Sequence, residues 1–114
     1  MNLRPGQLFT NELELSILQV LSKRYPFLLS EIHDLHVLSR KYTGVGCYTE
    51  FLFDEEYVDN EIQQLLLPEN ICLPSVQNGM TAVLLCVRNH PILLEIVTYQ
   101  EAWDGTFEGF SISE

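Results

Sequence analysis

With 114 residues, 46% of them hydrophobic, and a formal net charge of −10, the chain is long enough for one domain with its own core and too apolar to be disordered. Its apolar runs, such as TAVLLCV, fall far short of the roughly 18–20 residues that a membrane span needs. The charge is lopsided: residues 1–41 carry five cations against four acids, whereas residues 42–114 carry twelve acids against Arg88 alone. Such a surface repels nucleic-acid phosphates and anionic membranes, so neither is expected as a partner, and encounter with a basic protein is favoured.

The opening MNLRPGQLFTNELEL places one Arg before a Pro-Gly and then acids. A secretory leader would show a basic start and a continuous apolar stretch, so none is expected. TNELELSILQVLSKRY then reads as a helix. Asn11 is placed to cap it, and Glu14 stands where a capping box needs a carboxylate. Leu13, Ile17, Leu18, Leu21 and Tyr25 fall on one stripe, and Lys23 and Arg24 complement the dipole of the last turn. Pro26 ends this helix and opens a short second helix or turn, PFLLSEIHDL, with Leu28, Leu29 and Ile32 expected to face inward.

From His36 the apolar period changes to two, and YTGVGCYTEF raises the question of what its G-x-G does. A dinucleotide loop would need a third glycine and a following helix, but the residues that follow are strand-like. A hairpin turning at Gly44-Val45 sorts the residues well: Tyr42 faces Cys47, Arg40 faces Thr49 and Leu38 faces Phe51. The glycines are therefore assigned to chain reversal. In that register Cys47 and His36 lie roughly 20 Å apart, too far for a nucleophile and its base.

FDEEYVDNEIQQ follows, with Asp54, Glu55, Glu56, Asp59 and Glu61 inside eight residues. A calcium loop beginning at Asp54 would want Gly where Asp59 stands, so a solvated acidic loop is the reading, and its carboxylates are the candidate contacts for a basic partner. Pro68 and Pro74 confine the next segment to edge strand or irregular wall. GMTAVLLCVRNHPILLEIVTY reads as two central strands turning at Asn89-His90, which would set Val87 against Ile92 and Leu84 against Glu95. Trp103, Phe107 and Phe110 close the chain in a tail expected to pack on the sheet, or else to form an exposed apolar interface.

Two charges stand on apolar strand faces, Arg40 and Glu95. Each needs a partner or an opening to water, so they are expected near one another, or Arg40 beside another carboxylate. Together with Tyr42, Tyr99 and Trp103 they are the candidate lining of a pocket for a small ligand or a reaction. His33 and His36 share a helical face but lack H-E-x-x-H and a third ligand, so no metal or other cofactor is expected. No G-x-S-x-G is present, and no residue is assigned a catalytic role. Cys47, Cys72 and Cys86 are an odd number without a C-x-x-C pair, which fits reduced core thiols in a cytoplasmic protein.

The pairing of YTGVGCYTEF with the later LLEIVTYQEAW resembles a group of small uncharacterised bacterial α+β proteins, in which a G-x-G hairpin precedes an L-E-x-x-x-Y-x-E-x-W ending. The resemblance implies a single α+β domain without an assigned activity. In size and charge the chain is also similar to immunity-type proteins, which neutralise a partner. The expected fold is thus α+β, with an N-terminal helix packed on an antiparallel sheet of two β-hairpins plus edge strands. The leading functional expectation is a non-enzymatic protein-binding domain, immunity-type or regulatory, with a basic partner or a second copy of itself. A ligand pocket around Glu95, Arg40, Tyr99 and Trp103 is the alternative.

Overall fold

The structure, a computed structural model, describes residues 8–113; Arg4 and the rest of the opening MNLRPGQ lie outside the described residues. The helix α1 spans Glu12–Arg24. Asn11 accepts a hydrogen bond from the Glu14 amide at 2.8 Å, and Glu14 Oε1 accepts one from the Asn11 amide at 2.8 Å, so both halves of the expected capping box form. The stripe of Leu13, Ile17, Leu18 and Leu21 is fully buried. The expected short second helix or turn is a five-residue 3-10 turn, Pro26–Ser30. It buries Leu28, and Ile32 follows it into the core, but Leu29 points outward at 61% exposure because a three-residue turn cannot bring neighbouring residues to one side.

Among the described residues eight strands make one sheet: β1 (Leu8–Phe9), β2 (His36–Tyr42), β3 (Gly46–Phe51), β4 (Ile62–Leu66), β5 (Asn70–Leu73), β6 (Val76–Val87), β7 (His90–Thr98) and β8 (Ser111–Ser113). Their order is β1-β2-β3-β7-β6-β5-β8, with β4 also on β6, and every pairing is antiparallel. β6 is long enough to hold two strands end to end on one side: β4 pairs with Val83–Val87 and β5 with the stretch from Val76 to Met80. The chain is therefore α+β, with α1 against one sheet face.

The first hairpin has the expected register from Ser39 to Glu50, with Tyr42 opposite Cys47 and Arg40 opposite Thr49. Its two glycines have different jobs. Gly44 takes φ +89, which the turn requires. Gly46 lies so close to β7 that a Cβ would sit 2.3 Å from the Ile96 carbonyl oxygen. Toward the far end a bulge between Val37 and Ser39 puts Val37, rather than Leu38, opposite Phe51 and into the core.

The second hairpin departs from expectation by one residue. Arg88 and Asn89, both at positive φ, form the turn, and Val87 faces His90. His90 precedes a proline and is thereby held extended, so it begins β7 instead of turning. A register shift between Leu85 and Cys86 then sets Leu84 against Leu94 and Val83 against Glu95. Leu84 and Glu95 consequently lie on opposite faces rather than meeting.

One face of the sheet carries Met80, Ala82, Leu84, Cys86, Leu94 and Ile96, all buried with the α1 stripe in a single core cluster. The tail joins that side. Trp103 is 6% exposed, donates from Nε1 to the Thr106 carbonyl at 2.7 Å, and meets the Tyr42 ring at 6.2 Å. Phe107 and Phe110 pack against the same cluster.

Candidate functional site

The residues expected to line one pocket fall on two sides of the sheet. Arg40 and Tyr42 project to the helix side, in register with Thr49 and Cys47. Arg40 is bound by a carboxylate that sequence reasoning used only as a cap: its Nε donates to Glu14 Oε2 at 2.8 Å and its Nη2 to Glu14 Oε1 at 2.7 Å. Thr49 Oγ1 donates to Glu14 Oε2 at 2.6 Å. With the Asn11 amide, the Glu14 carboxylate accepts four hydrogen bonds while 1% exposed. Arg40 also donates to the Phe9 carbonyl at 2.8 Å. The guanidinium is held charged by the Glu14 hydrogen bond, which outweighs the opposing effect of burial. This arrangement ties α1 to β2 and β3, and its donors and acceptors satisfy one another. Desolvation raises the Cys47 thiol and the Tyr42 hydroxyl above their ordinary values, so neither is a poised nucleophile or base.

Tyr99 is 49% exposed just past the end of β7, and Trp103 is inside the core. Glu95 is on the other sheet face, between Tyr48 of β3 and Val83 of β6. Among the described residues no hydrogen-bond donor or cation reaches its carboxylate. The five pocket candidates therefore split into Arg40, Tyr42 and Trp103 toward the helix side, with Tyr42 itself half exposed, a second exposed tyrosine, Tyr99, past β7, and Glu95 alone on the far side. A cleft of about 700 Å³ lies beside the α1 N-terminus, lined by Thr10, Asn11 and Glu12 and by the tail residues Gly105–Glu108; it contains none of the five.

The face that holds Glu95 is open. No helix lies on it among the described residues, since α1 is bonded to the opposite side through Glu14 and Thr49. Val83, Leu85, Leu93 and Val97 are half-buried by one another, and Leu66 at its margin is 59% exposed. Glu50 and Glu95 are diagonal neighbours across β3 and β7, which places them about 7–8 Å apart at the backbone. Two recesses indent the face. One, about 200 Å³, lies beside Gly46 and is walled by Tyr48, Glu95 and Val97. The other, about 190 Å³, is walled by Glu50, Tyr57, Ile62, Leu85 and Leu93.

Tyr57 belongs to the acidic loop, which therefore borders the open face. The loop is organised by the one cation of residues 42–114. Arg88 Nη1 donates to Glu61 at 2.7 Å, and Nη2 reaches Glu55 at 3.4 Å and the Glu56 carbonyl at 3.2 Å. The Arg88 guanidinium also lies 5.8 Å from the centre of the Phe53 ring, which stacks on His90 at 5.0 Å. Glu61 additionally accepts from the Val58 amide, and this bond, with Arg88, holds its carboxyl below the usual range. Asp54, Glu56 and Asp59 have exposed carboxylates with no cation within ion-pair distance among the described residues. His33 is exposed and His36 is half-buried in β2, its ring edge-on to Phe9 at 5.5 Å. Among the described residues no three His, Cys, Asp or Glu side chains converge as a metal site would require. The thiols are all free; Cys47 and Cys86 are buried, but Cys72 is exposed rather than in the core, because β5 turns Ile71 and Leu73 inward.

The sequence marks both faces of the second hairpin as apolar, but its expected register grouped Val83 and Leu85 with Leu94 and Ile96 rather than with Leu93, Glu95 and Val97. The signal was present: Glu95 interrupts one alternate set of β7, Leu93-Glu95-Val97, and leaves the other set, Leu94-Ile96, unbroken. No helix of the described residues is long and apolar enough to cross a membrane. The class that fold and site define is thus an α+β domain with one sheet face closed by a helix and the other open, apolar and acidic. No family model, no curated protein and no solved structure matches the chain.

Proposed function

We propose that this chain is a non-enzymatic protein-binding domain that engages its partner through the open face of the sheet. The observation that carries the reading is Glu95, a carboxylate set among Tyr48, Val83 and Val97 that, among the described residues, has no partner and lies on a face that no helix covers. A solvated apolar face of central strands is costly to leave exposed, and on a stable domain it marks a contact surface. The acidic loop at its border and the net charge of −10 favour a basic partner, consistent with an immunity-type or regulatory role. Three free thiols fit work in the cytoplasm. The similarity to small bacterial α+β proteins of this pattern is part of the same proposal.

A photo-crosslinking amino acid at Leu85 or Val97, compared with one at Gln19 on the exposed side of α1, tests this in cells. One protein joined to the sheet-face positions and not to Gln19 is expected. Equal labelling from both sides would overturn the reading.

A further inference from the structure

The proposed binding role leaves open what kind of surface completes the open face, and the placement of charge on it is specific enough to answer. Along β6 and β7 the face is apolar, with Val83, Leu85, Leu93 and Val97 in two adjoining rows. Toward β3 and β2 it becomes polar: Tyr48 adjoins Glu95 and Lys41, and Glu50 adjoins Leu93 and Ser39. The carboxylates therefore flank an apolar strip on one side.

Covering this face with apolar groups alone would bury Glu95 without a partner, which is unfavourable by several kcal/mol for an unpaired charge. A second copy of the chain fits poorly. It would bring a body of the same net charge of −10, and its Glu95 and Glu50, against like charges. Strand addition is closed off here as well, because both edges of β6 and of β7 are already paired. What remains is a layer laid on the face, as α1 is laid on the opposite one. The recess over Gly46 adds a chemical requirement: it sets the Tyr48 ring beside the Glu95 carboxylate. A guanidinium or ammonium on an aliphatic stem satisfies both walls, by cation–π contact and by ion pairing.

We infer that the open face takes an amphipathic helix of a basic partner protein, seated along β6 and β7, with its apolar stripe on Val83, Leu85, Leu93 and Val97 and an Arg or Lys at the stripe's edge meeting Glu95 and Glu50. This rests on the reading that the face binds protein, and the experiment separates the two. The isotope-labelled full chain is titrated by NMR with three synthetic helical peptides: one with a leucine stripe flanked by arginines, one with glutamates in place of the arginines, and one with the arginines kept but the leucines replaced by serine. The first is expected to perturb amides at 46–50, 81–85 and 93–97, and to bind at least about tenfold more tightly than either of the others. Glu95→Gln combined with Glu50→Gln is expected to remove about tenfold of that affinity and most of its salt dependence, with an unchanged melting curve as the check on folding. Equal affinity for the arginine and glutamate peptides, or no effect of the double variant, would overturn the charged edge while leaving a protein-binding face. Equal binding of the serine peptide would overturn the apolar seat. Shifts confined to 54–61, or none at all, would overturn both readings, and outer-face shifts that depend on protein concentration without peptide would make a second copy the occupant.

Discussion

The two faces of the sheet handle a lone carboxylate in opposite ways. On the helix side, Glu14 is 1% exposed and every bond it needs comes from within the chain: the Arg40 fork, the Thr49 hydroxyl and the Asn11 amide. On the open side Glu95 has apolar neighbours and no partner among the described residues. A buried charge persists only when it is paired, as Glu14 is, whereas Glu95 is half-exposed and keeps its charge by contact with water. The satisfied group ties the helix to the sheet, and the unsatisfied one stands on the face to which the proposed binding role is assigned.

Substitution tests the contrast directly. Arg40→Ala strands the Glu14 carboxylate in the core and is expected to cost about 3–5 kcal/mol, nearer the lower figure because Arg40 is itself 21% exposed, read from urea denaturation. Leu94→Ala, opposite Thr49 on the closed face, is expected to lose about 2–5 kcal/mol by leaving a cavity. If Glu95→Gln cost as much as either, the open face would be structural. It is expected instead to stay within about 0.5 kcal/mol of the parent chain. Gly46→Ala lies between these, at about 1–3 kcal/mol, since the new methyl meets the backbone of β7 and not a movable side chain.

Thiol chemistry should divide along similar lines. Burial pushes Cys86 up to about 12 and raises Cys47 as well, whereas Cys72 is exposed on β5. A disulfide reagent at mildly alkaline pH is expected to label Cys72 quickly and the other two only after denaturation. The smallest effect is expected at the tail. The Thr106 hydroxyl and amide hold the Asp104 carboxyl below its ordinary range. The folded chain therefore binds that proton less readily than the unfolded one, and the stabilisation is present above a pH of about 4 and lost as the pH falls through the lowered value. Asp104→Asn should melt slightly below the parent at neutral pH, with the gap closing on acidification; a gap independent of pH would contradict this.

Local chemistry made much of this readable in advance. Asn11 and Glu14 announce a helix start, Gly44 a reversal, and Pro26 a helix end, because each acts on backbone within a few residues of itself. Errors arose where a second constraint acted on the same residues. Asn89-His90 looks like a turn until Pro91 forbids His90 the turn conformation, and the displaced register moved Glu95 to the opposite face from Leu84. The bulge between Val37 and Ser39 leaves no comparable mark in composition.

By itself the amino-acid order determined the elements, the acidic balance and the need of Arg40 and Glu95 for a partner or an opening to water, since propensity, periodicity and the cost of a buried charge are local or additive properties. Only the tertiary structure decided which partners they found. Arg40 meets Glu14, 26 positions earlier in the chain, and among the described residues Glu95 meets no partner, because strand register assigns each side chain to one face and α1 closes just one of the two.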